Sequence, residues 1–257
     1  MPTPLGARSQ RVEFARELLT KKGRRAHAAF SFEGLTLLEE ARARGTPIDA
    51  LYATPAAYEA SSLVRAIEAG GVPTFTVQEH VFAKISDVES PTGVLAVSPI
   101  ALKPLEHLLR EPGVVLVLAD LNDPGNAGTL LRSAEAFGVG RVVFGAAGVE
   151  PHHPKVVRAA MGAIFGLGLA VGSPDEAGPI AASGGWRAIG LAMDGTPLDR
   201  TSFPDRTLLV VGHERRGLGP WEALCHARVA IAMPGRADSL NAAVAGSIAL
   251  YEATKQK

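Results

Sequence analysis

The stretch Val114-Val-Leu-Val-Leu-Ala119 constrains the fold of this chain more than any other. Six aliphatic residues in a row leave no polar side chain on either alternating face. A strand of that kind belongs in a sheet covered on both sides, and such sheets are mainly parallel with helices as crossovers. The following segments fit. Arg141–Phe144, Gly166–Val171, Ala188–Met193 and Leu208–Val211 are predicted strands, and Thr129–Phe137 and Lys155–Met161 are predicted helices. In sheets of this type ligands collect beyond the carboxyl ends of strands. Three polar, glycine-bearing clusters fall at such ends: Asp123 to Gly128, Gly212-His-Glu214-Arg-Arg-Gly217, and Asp238 to Asn241 beyond Ile231. Their coincidence points to a ligand site on one edge of the sheet.

The last cluster sits between an expected short strand starting at Val229 and a helix from Ala242 to Glu252. Asp238 or Ser239 is the expected N-cap of that helix. Its small residues Ala242, Ala243, Ala245 and Gly246 allow close approach of a neighbour. In the first cluster's helix, Leu130, Ala134 and Phe137 form the apolar stripe, and Arg132 points away from it.

Ahead of this region, helix and strand alternate on a smaller scale. Strands are expected around Ala29–Gly34, Asp49–Ala53, Pro73–Val77 and Gly93–Val97, with helices over Leu35–Arg44 and Ala56–Gly70. A basic amphipathic helix leads, carrying Arg8, Arg11, Arg16, Lys21 and Lys22, with Arg24 and Arg25 just after the expected stop at Gly23. Pro99 and Pro104 mark a linker, dividing the chain into a small α/β domain over 1–98 and a larger one over 99–257.

Composition narrows the chemistry. Lys plus Arg and Asp plus Glu both number 26, so any contact with nucleic acid must come from local patches. A single cysteine, Cys225, excludes an internal disulfide and suits a reducing cytoplasm; next to Leu224 it reads as a buried small hydrophobe. No apolar run of membrane-spanning length and no secretory signal is expected. The G-x-G-x-x-G fingerprint of dinucleotide sites is missing, as are a Walker A loop and a G-x-S-x-G elbow around Ser239. His152 and His153 are adjacent and isolated from other ligands, so no metal site is expected.

The three clusters also carry a family resemblance. Asp123-Pro-Gly-Asn126-Ala-Gly128-Thr-Leu-Leu-Arg132 through Gly138, Val211-Gly212-His-Glu214-Arg-Arg-Gly217-Leu218, and Ile231-Ala-Met233-Pro-Gly235 through Ser239-Leu240-Asn241 resemble, in order and spacing, the three motifs of the SpoU (TrmH-like) RNA ribose methyltransferases of the SPOUT class. Phe32-Glu33-Gly34 and Ser90-Pro-Thr-Gly93-Val94 are similar, more weakly, to the substrate-binding domain many members carry. The resemblance implies an α/β fold with a C-terminal trefoil knot, S-adenosylmethionine as cofactor, a homodimer, and methylation of a ribose 2′-hydroxyl, with 23S rRNA the expected substrate. A transfer-RNA methyltransferase, or a non-catalytic RNA-binding protein on the same scaffold, is the alternative.

Carried over by position, Leu191, Gly212, Gly217, Ile231, Met233 and Leu240 are the implied cofactor residues. Asn126, Arg132, Glu214, Ser239 and Asn241 are the implied active-site residues. Arg8, Arg11, Lys21, Lys22, Arg24 and Arg25 would meet RNA phosphates. The family makes Arg132 the base. A guanidinium is protonated at neutral pH, so orienting the hydroxyl and stabilising a developing alkoxide suits it better.

Overall fold

In the computed structural model, which describes residues 1–213, 216–236 and 239–255, the chain forms two compact units. The first comprises Met1–Ile100 together with His152–Phe165; the second comprises Ala101–Pro151 and Gly166–Lys257.

The first unit is built on strands β1 (Thr3–Leu5), β2 (Ala29–Glu33), β3 (Ala50–Ala53), β4 (Thr74–Val77) and β5 (Val94–Pro99), in the order β1-β4-β3-β5-β2. β5 runs antiparallel to both its neighbours, and the other pairings are parallel. Helices α1 (Gln10–Glu17), α2 (Lys21–His27), α3 (Leu35–Ala43), α4 (Pro55–Ala60), α5 (Ser62–Ala69) and α6 (Glu79–Phe82) connect them. The expected leading helix is therefore two. Thr20 takes extended backbone and accepts the Gly23 N–H on its hydroxyl (3.0 Å), capping α2, so Gly23 lies inside a helix and does not end one. The helix expected over Ala56–Gly70 is also divided, because Ser61 is extended and caps α5 through the Val64 N–H.

Val12, Ala15, Leu18, Tyr52, Phe82 and Leu95 pack one core of this unit. Buried Glu33 accepts hydrogen bonds from Ser86 Oγ (2.6 Å), Thr92 N–H (2.6 Å) and Thr92 Oγ1 (3.1 Å), tying the loop that precedes β5 to the end of β2. The returning segment carries α9 (Pro154–Ala159), capped by His153 through the Lys155 N–H. His152 lies in the turn before α9, as expected of a loop residue, but it is only 7% exposed and its ring packs at a tilt against Phe30, centroids 4.4 Å apart.

The second unit has a six-stranded sheet in the order β11-β9-β10-β6-β7-β8, every pairing parallel. Its strands are β6 (Gly113–Leu118), β7 (Arg141–Gly145), β8 (Gly168–Gly172), β9 (Arg187–Pro197), β10 (Arg206–Val211) and β11 (Cys225–Ala230). The helices are α7 (Leu105–Leu108), α8 (Pro124–Ala136), α10 (Pro174–Ser183) and α11 (Ala242–Lys255). The aliphatic run became β6, in the interior of the sheet and buried from Val114 to Leu118, as a strand with two apolar faces must be.

α8 starts earlier than expected. Asp123 accepts the Asn126 N–H (2.7 Å) as N-cap and Pro124 opens the first turn, so Gly125 to Gly128 are helical and not loop. α10 went unanticipated, although Ser173 and Glu176 form a capping box at its start. α11 packs on α8 where a Cβ on Gly246 would lie 2.6 Å from Leu130 Cδ2, so a larger residue there would have to displace the Leu130 side chain. Among the described residues no helix is long and apolar enough to cross a membrane.

Candidate functional site

The site grows from a local departure of β9 from its sheet. β9 pairs with β10 only from Arg187 to Gly190, while β11 pairs with it up to Gly190 and again from Thr196. The ladder thus skips Leu191–Gly195 on both sides, and burial falls away there: Ala188 to Gly190 are buried, whereas Met193 and Asp194 are exposed. Glycines bracket the released stretch, and isolated glycines within a strand signal such bulges.

Against this stretch lies a cavity of about 390 Å³, within the range of small-molecule sites. Its walls come from the released part of β9, the end of β10 with the turn after it, and the chain between β11 and α11. All six of Leu191, Gly212, Gly217, Ile231, Met233 and Leu240 line it. The turn is closed by reciprocal bonds, the His213 N–H donating to the Gly217 carbonyl (2.9 Å) and the Gly217 N–H to the His213 carbonyl (2.8 Å). Gly212 has to be glycine, because a Cβ there would collide with that Gly217 carbonyl. Ile231 and Met233 lie beyond β11, not in a strand, so they belong to an irregular wall of the cavity.

Ser239 also lines the cavity. Asn241 does two things at once. Its Oδ1 accepts the N–H groups of Ala243 (2.9 Å) and Val244 (3.2 Å), which makes it the cap of α11 in place of the expected Asp238 or Ser239. Its Nδ2 donates to Asn126 Oδ1 (2.9 Å), joining the first and third clusters across 115 positions of sequence. Arg132 is exposed on α8, beyond Asn126. Glu214 and Asp238 lie outside the described residues.

Several cavity residues were not singled out from sequence: Asp194, His213, Arg216, Glu222 and Arg228. Arg228 bridges Asp194 (3.1 Å) and Glu222 (3.0 Å). Cys225 is half-buried with its thiol pushed up to about 11, chiefly by burial, so it is neutral and unsuited to nucleophilic attack at ordinary pH.

In the first unit Arg8, Arg11, Lys21, Lys22 and Arg25 are exposed. Arg24 departs from the expectation that it meets RNA: it is 2% exposed and its guanidinium donates to the Leu18 carbonyl (2.8 Å), inside the unit. Lys21 and Lys22 stand in the first turn of α2, where cations oppose the helix dipole, so they do nothing for that helix's stability. Among the described residues, no group of three His, Cys, Asp or Glu is placed to hold a metal ion.

The cavity offers apolar side chains for a ring system and a charged rim for a polar remainder, a donor set that suits a nucleoside with a zwitterionic tail. Comparison with known proteins meets this geometry. Residues 113–251 match the SpoU rRNA methylase family, and residues 9–96 match the MRM3-like substrate binding domain. An uncharacterized tRNA/rRNA methyltransferase of Synechocystis is 32% identical, over 96% of this chain and 91% of its own. The 23S rRNA guanosine 2′-O-methyltransferase RlmP of Bacillus subtilis is 29% identical, over 95% of this chain and 96% of its own. The crystal structure of the SpoU methyltransferase AviRb from Streptomyces viridochromogenes, in complex with the cofactor AdoMet, superposes with a TM-score of 0.85 at 27% identity. It covers 97% of this chain and 98% of that one.

Proposed function

Because the chain belongs to the SpoU rRNA methylase family, we propose that its second unit moves a methyl group from S-adenosylmethionine to a ribose 2′-hydroxyl of 23S rRNA. One observation carries the assignment of residues: six positions implied by the motifs line a single cavity, and Ser239 lines it too. The cofactor, when bound, supplies an electrophilic methyl on a sulfonium.

Leu191, Gly212, Gly217, Ile231, Met233 and Leu240 hold it, largely by apolar packing and backbone groups. The Asn126–Asn241 pair fixes the first turns of α8 and α11 against each other, so the substrate edge is rigid before RNA arrives. Arg132, exposed on α8, orients the hydroxyl and stabilises the charge developing on its oxygen. Glu214 and Ser239 complete the polar set. Holding oxygen and methyl in line is worth on the order of 7–11 kcal/mol of barrier, so positioning dominates.

The exposed cations of the first unit, Arg8, Arg11, Lys21, Lys22 and Arg25, contact RNA phosphates. With ribosomal RNA as substrate the enzyme works in the cytoplasm. The functional form is a homodimer: Val244, Ile248 and Tyr251 are exposed on α11 at one-turn intervals, an apolar stripe suited to a second copy. The trefoil knot and the division near residue 98 belong to the same reading.

Calorimetry with S-adenosylmethionine and methyl transfer to 23S rRNA test it together. The unaltered protein binds one cofactor per chain. Arg132→Ala binds it equally well and loses roughly 10²-fold or more in turnover, as removal of one preorganised donor does. Normal turnover in Arg132→Ala and Arg132→Lys removes this residue from the mechanism.

A further inference from the structure

Asp194, Arg228 and Glu222 form an ion-pair bridge on the cavity wall that none of the motifs includes. The side chains are 66%, 45% and 54% exposed, and pairs in that setting contribute little to folding. Yet the backbone is arranged to present them. Asp194 lies near the end of the stretch Leu191–Gly195 that β9 releases from the sheet, and Arg228 sits on β11 at the point where the pairing skips. Glu222 reaches the same guanidinium from the short 3-10 turn before β11. One arginine thus bridges two carboxylates beside the ligand space.

We infer that Asp194 receives the ribose diol of the cofactor, with Arg228 and Glu222 as positioning residues. The inference rests on S-adenosylmethionine occupying this cavity. Asp194 directly follows Leu191, Ala192 and Met193, which with Leu218, Ile231 and Leu240 make the apolar lining of the cavity, the part suited to the base. The ribose is the part of the cofactor joined directly to that base, so it meets the next residue along β9. A carboxylate accepts from two neighbouring hydroxyls at once, which is how an acid at a strand end reads a nucleotide ribose in dinucleotide-binding folds. Arg228 engages Asp194 through Oδ2 and leaves the carboxylate's other lone pairs for the sugar.

The test measures dissociation constants by calorimetry for 5′-methylthioadenosine, its 2′,3′-dideoxy counterpart and S-adenosylhomocysteine. The unaltered protein prefers the diol-bearing methylthioadenosine by roughly 10- to 100-fold, as hydrogen bonds to a charged acceptor warrant. Asp194→Ala brings that ratio close to one, and Arg228→Gln reduces it while leaving Asp194 in place. Retention of the full ratio in Asp194→Ala, with circular dichroism unchanged, overturns the inference. So does a loss confined to S-adenosylhomocysteine, which would assign the carboxylate to the ammonium of the amino-acid tail. If the unaltered protein binds none of the three, the cofactor assignment falls as well, and the two failures are told apart by that control.

Discussion

Asn241 divides one side chain between a helix end and a second motif residue, so fold and proposed chemistry meet in it. Its carbonyl oxygen caps α11 and its amide nitrogen holds Asn126. The two roles separate by substitution. Asn241→Ala removes the cap and costs about 1 kcal/mol of unfolding free energy. Asn241→Asp keeps a good cap and stays close to the unaltered stability, but offers no donor to Asn126, so methyl transfer falls. Denaturant unfolding beside single-turnover kinetics reads both effects. Equal stability loss in the two variants would contradict the division of roles. The motif singled out Asn126 and Asn241, which the fold joins by a hydrogen bond, but which of the neighbouring polar groups caps the helix depends on backbone geometry that residue type alone does not specify. Asp194 and Arg228 were illegible for a similar reason. They lie 34 positions apart, and only the parallel pairing of β9 with β11 brings them together.

At the scale of elements, the aliphatic strands and most helices could be read because period and hydrophobicity agree. What escaped were interruptions fixed by single backbone conformations, such as extended Thr20 and Ser61, which cut expected long helices in two. The return of His152–Phe165 to the first unit escaped as well, since a local pattern says nothing about which sheet a segment joins. That return has a titratable marker. Burial, with Arg24 nearby, lowers the His152 pKa from 6.5 to about 4. The unfolded chain therefore binds a proton at this site between pH 6.5 and about 4 while the folded chain does not. Stability contributed by the neutral ring is fully present above pH 6.5 and is lost as the pH falls through that window, by up to about 3 kcal/mol. Urea unfolding at pH 7, 5.5 and 4.5 checks this, and His152→Phe flattens that part of the profile. An unchanged slope in the variant would show that other groups set it.

For the whole molecule, two features organise the function. The parallel sheet carries a cavity on the released part of β9 and the turns beside it, and the smaller unit carries exposed cations, the two features the proposed transfer site and RNA contacts rest on. The apolar stripe on α11 predicts a mass of two chains in sedimentation equilibrium, and a single-chain mass would remove the homodimer from the account. The central claim is ribose methylation of ribosomal RNA, and one measurement addresses it most directly. 23S rRNA lacking the modification is incubated with the protein and S-adenosylmethionine labelled in its methyl group, then digested to nucleosides. The account predicts label in one 2′-O-methylnucleoside, at a linkage that has become resistant to alkali. Label on a base, or none in the RNA while the protein still binds the cofactor, would contradict it.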